Sequence, residues 1–581
     1  MKRCFAAVGS RWNVPHPPAA KRIPLSPEAR RALGLGSEER VEQLTPAEVL
    51  RAILRAPVDL FWNGGIGTYV KATAESNADV GDKANDAIRV NGSDLQCKAI
   101  GEGGNLGMTQ LGRIEYARHD GAVNTDAIDN SAGVDTSDHE VNIKILLDRV
   151  ARDGDLTEKQ RDTLLAEMTD EVGQLVLKDN YGQNVAIATA LVQGPAMLHI
   201  HARYMRDLED SGHLNRELEF LPDDTELAAR QAAGEGLTGP EFSVLLAYTK
   251  IWLAEQLLDS SLPEDPYLRN ELYRYFPTPL RERFAAQMDE HPLRREIIAT
   301  GVVNNFVNNA GTTFYYRIAE ETGAVAQEIA RAHTVARIVY DLQSVWEGVE
   351  ALDCEVDANV QTVMRLEARK LSERATRWLL ANRRPPLDIA ATIDTFAEGV
   401  RDLSTALPDL LRGSDHAAMQ RRLDELVAAG VPEELAQRVA AMAPSLAALD
   451  IVEVAAASGQ SVEDVGRVYF DLAERLRLTR LLDRILALPR DDRWKALARA
   501  ALRDDLYAAH ASLTADVVEA SDDDTAAAAD RFAEWQTTHE AALTRAMSML
   551  DQISAAETFD LATLSVALRV IRSLLRTRSA A

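Results

Sequence analysis

GEGGNLGMTQLGRIEYARHDGAVNTDAIDNSAGVDTSDHEVNIKILL, Gly101 to Leu147, is crowded with Gly, Asp and Asn and shows no amphipathic face until its end. The segments around it are apolar. Val58-Asp59-Leu60-Phe61-Trp62 runs into Asn63-Gly64-Gly65, Leu95–Ile100 (LQCKAI) runs into GEGGN, and Ala122-Val123 runs into NTDAIDN. Short apolar runs that stop at glycine- or asparagine-rich loops read as buried strands. Helical patterns alternate with them over residues 25–150. The spacing therefore predicts parallel α/β architecture, in which ligands sit beyond the carboxyl ends of the strands.

Helix signals frame this region. Ser26 before Pro27 and Thr45 before Pro46 read as caps with proline in the first turn. After about residue 150 the strand signal vanishes. Thr157-x-x-Gln160 and Thr238-x-x-Glu241 read as helix starts, and Leu164, Leu165, Met168, Val172, Leu175 and Val176 keep helical spacing. FSVLLAYTKIWLAEQLL reads as a buried helix, and DLAERLRLTRLLDRILAL, RWKALARAAL and ATLSVALRVIRSLLR continue the pattern. SDDDTAAAAD (Ser521–Asp530) reads as a solvated loop or helix start. The expected fold is a partial Rossmann-like α/β domain followed by a large all-α C-terminal domain. The expected divisions are an irregular 1–24, an α/β part over 25–150, a helical part over 151–406 and a second over 407–581, with a soft break at Leu407–Asp415.

The chain has 581 residues, 46% hydrophobic and 27% charged, which is the profile of a globular protein. Its net charge of −26 argues against nucleic acid or an anionic membrane as partner, because phosphate binding needs a positive surface. No apolar run of about 18 residues stands out, so no membrane span is expected. Cys4, Cys97 and Cys354 are far apart and form no CxxC pair, which argues against a disulfide framework or a zinc site and fits a reducing, cytoplasmic setting.

The glycine loops are the candidate site. Gly65-x-Gly67 follows a strand but lacks the rest of a dinucleotide fingerprint, so a tight turn explains it equally well. Gly103 and Asn105 follow the next strand, where free N–H groups and an amide suit a ribose or carboxamide. Ser137-x-x-Glu140 reads as a capping box, with a helix starting there and Ile143, Leu146, Leu147 and Val150 on its apolar face. Asp126, Asp129 and Asp138 read as turn formers. His139 beside Glu140 makes a poor metal site, since adjacent residues diverge on a helix, and no metal is expected. Nothing resembles a nucleophile elbow or a phosphate-binding Walker loop.

GEGGNLGMTQLGRIEYA with NTDAIDNSAGVDTSDHEVNIKILL closely resembles the large-subunit NAD-specific glutamate dehydrogenases of bacteria. KRIPLSPEARRALGL, DLFWNGGIGTYVKA, VGDKANDAIRV, LLAYTKIWLAEQLLDSSLPEDPYL and HPLRREIIATGVVNNFVNNAGTTF carry the same resemblance from about residue 20 onward. It implies NAD as cofactor and oxidative deamination of L-glutamate to 2-oxoglutarate and ammonia. It further implies that Gly65, Gly67, Gly103, Asn105 and Asn130 line the cofactor cleft, with Asn105 near the ribose and Asn130 on the nicotinamide carboxamide. Ser137 would bind the side-chain carboxylate of glutamate. The family's catalytic lysine and full glycine fingerprint lie upstream of the matching segments, so no catalytic residue is expected in this chain. On this reading the chain is a C-terminal portion of a longer enzyme that assembles as a homo-oligomer. The competing readings are a non-catalytic helical assembly or regulatory module, and a different amino-acid dehydrogenase.

Overall fold

The computed structural model describes residues 21–35, 43–490, 492–520, 527–555 and 559–575. The expectations for residues 1–20, Cys4 and the start of the Ser521–Asp530 segment fall outside these. The described residues cluster into two compact units, one covering the chain to Leu198 together with Met205–Tyr248, the other His199–Tyr204 with Thr249 onward.

The first unit opens with β1 (Ile23–Pro24), α1 (Pro27–Ala32), β2 (Gln43–Leu44) and α2 (Pro46–Leu54), with β1 and β2 antiparallel. Ser26 caps α1 through the Ala29 N–H, and Thr45 forms a full capping box with Glu48 at the start of α2. Then follow β3 (Leu60–Asn63), β4 (Val70–Lys71), α3 (Asn77–Val80), β5 (Val90–Asn91), β6 (Ala99–Glu102), α4 (Gln110–Ala117) and α5 (Asp126–Asp129). The unit continues with α6 (Ser131–Arg152), α7 (Glu158–Glu167), α8 (Thr169–Asp210), α9 (Asp224–Ala233) and α10 (Gly239–Leu258), with His199–Tyr204 of α8 and the end of α10 from Thr249 assigned to the second unit.

β3 pairs with β6 in parallel, Leu60 opposite Ala99 and Asn63 opposite Glu102. β4 pairs with β5 in parallel, and single parallel bridges join Ala99 to Ala122 and Val70 to Met108. β3 and β6 thus lie where short apolar runs predicted strands, with boundaries moved by up to four residues at the LQCKAI segment; the expected third strand at Ala122-Val123 is a single bridge, and β4 and β5 follow no run read as a strand. A doubly wound sheet does not form among the described residues. Glycine and polar residues end each strand after two to four residues, before an extended ladder can build. Leu54, Val70, Val90, Cys97, Ile100, Met108, Tyr116 and Val123 form one core under the strands. Burial of each larger side chain contributes roughly 1.5–3 kcal/mol. The Tyr116 hydroxyl donates to the Cys97 carbonyl at 2.8 Å inside it.

The helical reading beyond residue 150 holds: no strand occurs there among the described residues. Thr157 and Gln160 form the expected capping box, but the apolar spacing that follows is split at Met168 between α7 and α8. α8 carries an 18-residue window of mean hydropathy 1.3, of which 56% is buried. Length and composition alone would let it cross a membrane, contrary to the sequence expectation; the same apolar surface serves here as core. Gly173 lies inside α8 with open space where a Cβ would be. Gly173→Ala is therefore expected to stabilise the protein by roughly 0.5–1 kcal/mol, through helix propensity and a less flexible unfolded chain. An unchanged or lowered urea midpoint would refute this.

Candidate functional site

Because β3 and β6 are parallel and in register, their carboxyl ends, Asn63 and Glu102, lie side by side. The loops that follow start from the same edge. The Ala122 bridge brings the third loop, Asn124–Asn130, to that edge as well. Gly104 N–H donates to the Asn63 carbonyl at 3.0 Å, joining the first two loops. A Cβ on Gly104 would come within 2.6 Å of the Gly65 carbonyl oxygen, and one on Gly103 within 2.6 Å of the Trp62 ring. These glycines let the two loops and the Trp62 side chain lie against one another. Gly67 has φ +135°, which suits glycine and few other residues.

A buried polar network holds the loops. Glu102 is fully buried and accepts from Arg113 Nε at 2.6 Å and Nη2 at 3.0 Å. Its Oε1 also accepts from the Met108 N–H, which fixes the far end of the glycine loop. Arg113 lies 3.3 Å from Asp126, whose other oxygen accepts from the Leu106 N–H at 2.7 Å. Asp129 accepts from the Glu102 N–H at 2.9 Å. Burial pushes the carboxyls of Glu102 and Asp129 above their ordinary range, with Arg113 pulling both back down. The two loop aspartates, read from sequence as turn formers, are clamps between loops. Glu102 and Arg113 were missed, since no spacing rule links a strand carboxylate to an arginine on a following helix.

Asn130 Nδ2 donates to Asn105 Oδ1 at 2.7 Å, so two of the expected cofactor residues meet. Among the described residues, Asn105 Nδ2 and Asn130 Oδ1 make no further bond, leaving one amide donor and one acceptor beside each other. The N–H groups of Gly65, Gly67, Gly103 and Asn105 likewise have no acceptor among the described residues. Trp62, Ile66 and Leu106 are exposed around these loops, Ile66 at 94%. The surface thus offers free N–H donors, a paired donor and acceptor, and apolar side chains.

Ser137 departs from expectation. α6 starts at Ser131, not Ser137, and Ser137 is exposed in its second turn. Glu140 bonds Lys144 rather than closing a capping box. The cause is tertiary: Asn180 of α8 donates to the Ile128 carbonyl and to Ser131 Oγ, so the entry to α6 is fixed from outside. Ser137 therefore stands two turns from the helix end, without its partial charge. It shares a helix face with Asn130, about 10 Å along the axis at 1.5 Å per residue. The apolar face of α6 is as expected, with Ile143, Leu146, Leu147 and Val150 buried.

Lysines near the loops are engaged elsewhere. Lys71 Nζ donates to Asn91 Oδ1 at 2.7 Å, and Lys98 pairs with Asp59 at 2.7 Å. Asp59 holds the Lys98 ammonium above its ordinary range, the opposite of what a base needs. His139 turns inward instead of pairing with Glu140. With Asp135 and Asp179 it forms a set whose ligand atoms lie within 4.8 Å of one another, a donor set that suits a divalent cation. Burial holds its imidazole below the ordinary histidine range.

Two family models match the chain. One, described as the catalytic domain of bacterial NAD-glutamate dehydrogenase, matches residues 10–190; the other, described as the C-terminal part of glutamate dehydrogenase, matches residues 234–573. The NAD-specific glutamate dehydrogenase of Pseudomonas aeruginosa is 44% identical over 96% of this chain and 34% of its own length. That of Mycobacterium tuberculosis gives the same identity and coverage, and that of Halomonas elongata is 42% identical over 97% of this chain and 35% of its own. The chain thus spans about a third of the length of the curated relatives it matches.

Proposed function

The chain belongs to the bacterial NAD-specific glutamate dehydrogenase family, and we propose that its first unit forms one wall of the cleft where NAD and L-glutamate meet. The reaction is oxidative deamination of L-glutamate to 2-oxoglutarate and ammonia, in which NAD supplies the hydride acceptor. The observation that carries this reading is the Asn105–Asn130 pair. Its outward amide donor and acceptor complement the two groups of a carboxamide.

On this reading Asn130 and Asn105 orient the nicotinamide, and the free N–H groups of Gly65, Gly67 and Gly103 receive anionic or ribose oxygens. Trp62 and Ile66 shield the cleft from water. Ser137 donates to the side-chain carboxylate of glutamate from the exposed face of α6, as a hydroxyl contact independent of any helix end. Neither Lys71 nor Lys98 is assigned as the group that activates water. The protein would act in the cytoplasm as part of a homo-oligomer.

The test is NADH binding to the full chain by fluorescence. Asn130→Ala is expected to weaken it about tenfold, the value of roughly one well-formed hydrogen bond. Equal affinity in the variant and the parent would refute the role of Asn130. Absence of any NADH binding by the parent chain would refute the cleft wall.

A further inference from the structure

α6 and α8 bring together three side chains that the proposed chemistry does not use. Asp135 and His139 stand one turn apart on α6, and Asp179 comes from α8. One carboxylate oxygen from each aspartate and one ring nitrogen of His139 lie within 4.8 Å of one another. All three residues belong to the first unit. The i, i+4 spacing of Asp135 and His139 puts two donors on one helix face, as in helices that present two ligands to one metal ion.

The histidine is what separates this set from a group of surface acids. His139 is only 2% exposed, while both aspartates are half-buried, so the set is anchored in the interior and open to solvent on one side. His139 Nε2 lies 3.8 Å from Asp135 Oδ1, beyond the reach of a hydrogen bond. Metal bonds of about 2.0–2.2 Å put neighbouring ligand atoms about 3–3.5 Å apart, so small side-chain rotations close the set around an ion. A protonated imidazole could also lie between two carboxylates, but burial disfavours that form, and the neutral ring is the one that ligates. Residues adjacent in sequence to the three donors do not compete for the same place, since neighbouring helix positions diverge. Glu140 bonds Lys144, and Asp138 accepts from Asn142.

The donor set selects the ion. One imidazole and two carboxylates suit zinc and related first-row divalent ions, with water completing the shell on the open side. Calcium and magnesium prefer six or more oxygen ligands. We propose that Asp135, His139 and Asp179 bind one such divalent transition-metal ion, which clamps α6 to α8. Asn180, next to Asp179, already donates to the Ile128 carbonyl and to Ser131 Oγ at the start of α6. The ion would fix the following turns of α6 to the same stretch of α8.

The test is calorimetric titration of the chelator-stripped full chain with zinc chloride and with magnesium chloride. Zinc is expected to bind at one ion per chain and at least tenfold more tightly than magnesium, and to raise the urea midpoint, since it binds only the folded chain. Asp179→Asn and Asp135→Asn, which remove one ligand from each helix, are each expected to weaken zinc binding tenfold or more. Their urea midpoints in chelator should match that of the parent, which separates a lost ligand from a lost fold. Cobalt(II) bound to the parent should give a visible absorption band that His139→Gln changes or abolishes. No zinc binding at micromolar concentration would overturn the proposal. So would equal affinity for zinc and magnesium, or unchanged zinc affinity in both aspartate variants.

Discussion

Glu102→Ala is expected to destabilise the first unit by about 3 kcal/mol and to abolish NADH binding. Removing one partner of a buried ion pair leaves the other charge uncompensated, at a cost of roughly 3–5 kcal/mol. Here Asp126, 3.3 Å from Arg113, offsets part of that, which puts the estimate at the lower end. The substitution also removes the acceptor for the Met108 N–H, freeing the end of the Gly103–Gly107 loop. Because that loop carries Asn105, the partner of Asn130 loosens with it. Combining Glu102→Ala with Arg113→Met removes both charges and is expected to recover much of the stability, since apolar replacement of both partners is close to neutral. Urea denaturation followed by circular dichroism measures both. A loss below about 1 kcal/mol in the single variant, or no recovery in the double, would show that the pair does not hold the loops.

Glu373→Gln should have a comparable effect on the second unit, about 3–5 kcal/mol. Glu373 accepts two bonds from Arg317, at 2.6 and 2.5 Å, and lies 2.7 Å from Arg377. Arg377 also pairs with Glu321, and the buried Arg369 adds a third positive group, its own guanidinium pushed down to about 10 by burial and by Arg317. The neutral amide keeps the volume but leaves these arginines with Glu321 as their remaining carboxylate. Arg317 and Arg377 hold the Glu373 carboxyl well below its ordinary value of 4.5. A carboxylate with a depressed folded-state value stabilises most at pH above its unfolded value, and that stabilisation is lost as pH falls through the folded one. The parent should therefore lose this contribution progressively as pH falls below 4.5 toward the lower folded-state value, and Glu373→Gln should lack that part of the acid dependence. Parallel pH–stability curves for the two proteins would contradict the assignment.

Local signals in the sequence carried much of the architecture. Ser26, Thr45 and Thr157 cap helices where their spacing places them, because a cap needs only its own first turn. The apolar runs before Asn63 and Glu102 became strands because a short apolar run flanked by glycine has few other places to go. Asn105 and Asn130 stood out by type and by resemblance, and they do meet.

The same local logic failed at Ser137. Its capping-box spacing is locally sound, yet α6 starts six residues earlier, where Asn180 on another helix donates to the Ile128 carbonyl and to Ser131 Oγ and anchors the true start. Leu164 to Val176 reads as one face, yet a break at Met168 divides it. Periodicity reports which residues face inward, and it is insensitive to where the backbone bends between two such faces.

The sequence by itself determined the strand-rich then helical order of the chain, the strands β3 and β6, the family, and the residue types at the loops, since these depend on neighbours a few positions apart. The tertiary structure decided the rest. Parallel register between β3 and β6 brings three loops to one edge, and Glu102 finds Arg113 from strand to helix. Each of these depends on packing between segments separated along the chain, where burial strengthens every charge and hydrogen bond, and no local pattern encodes that burial.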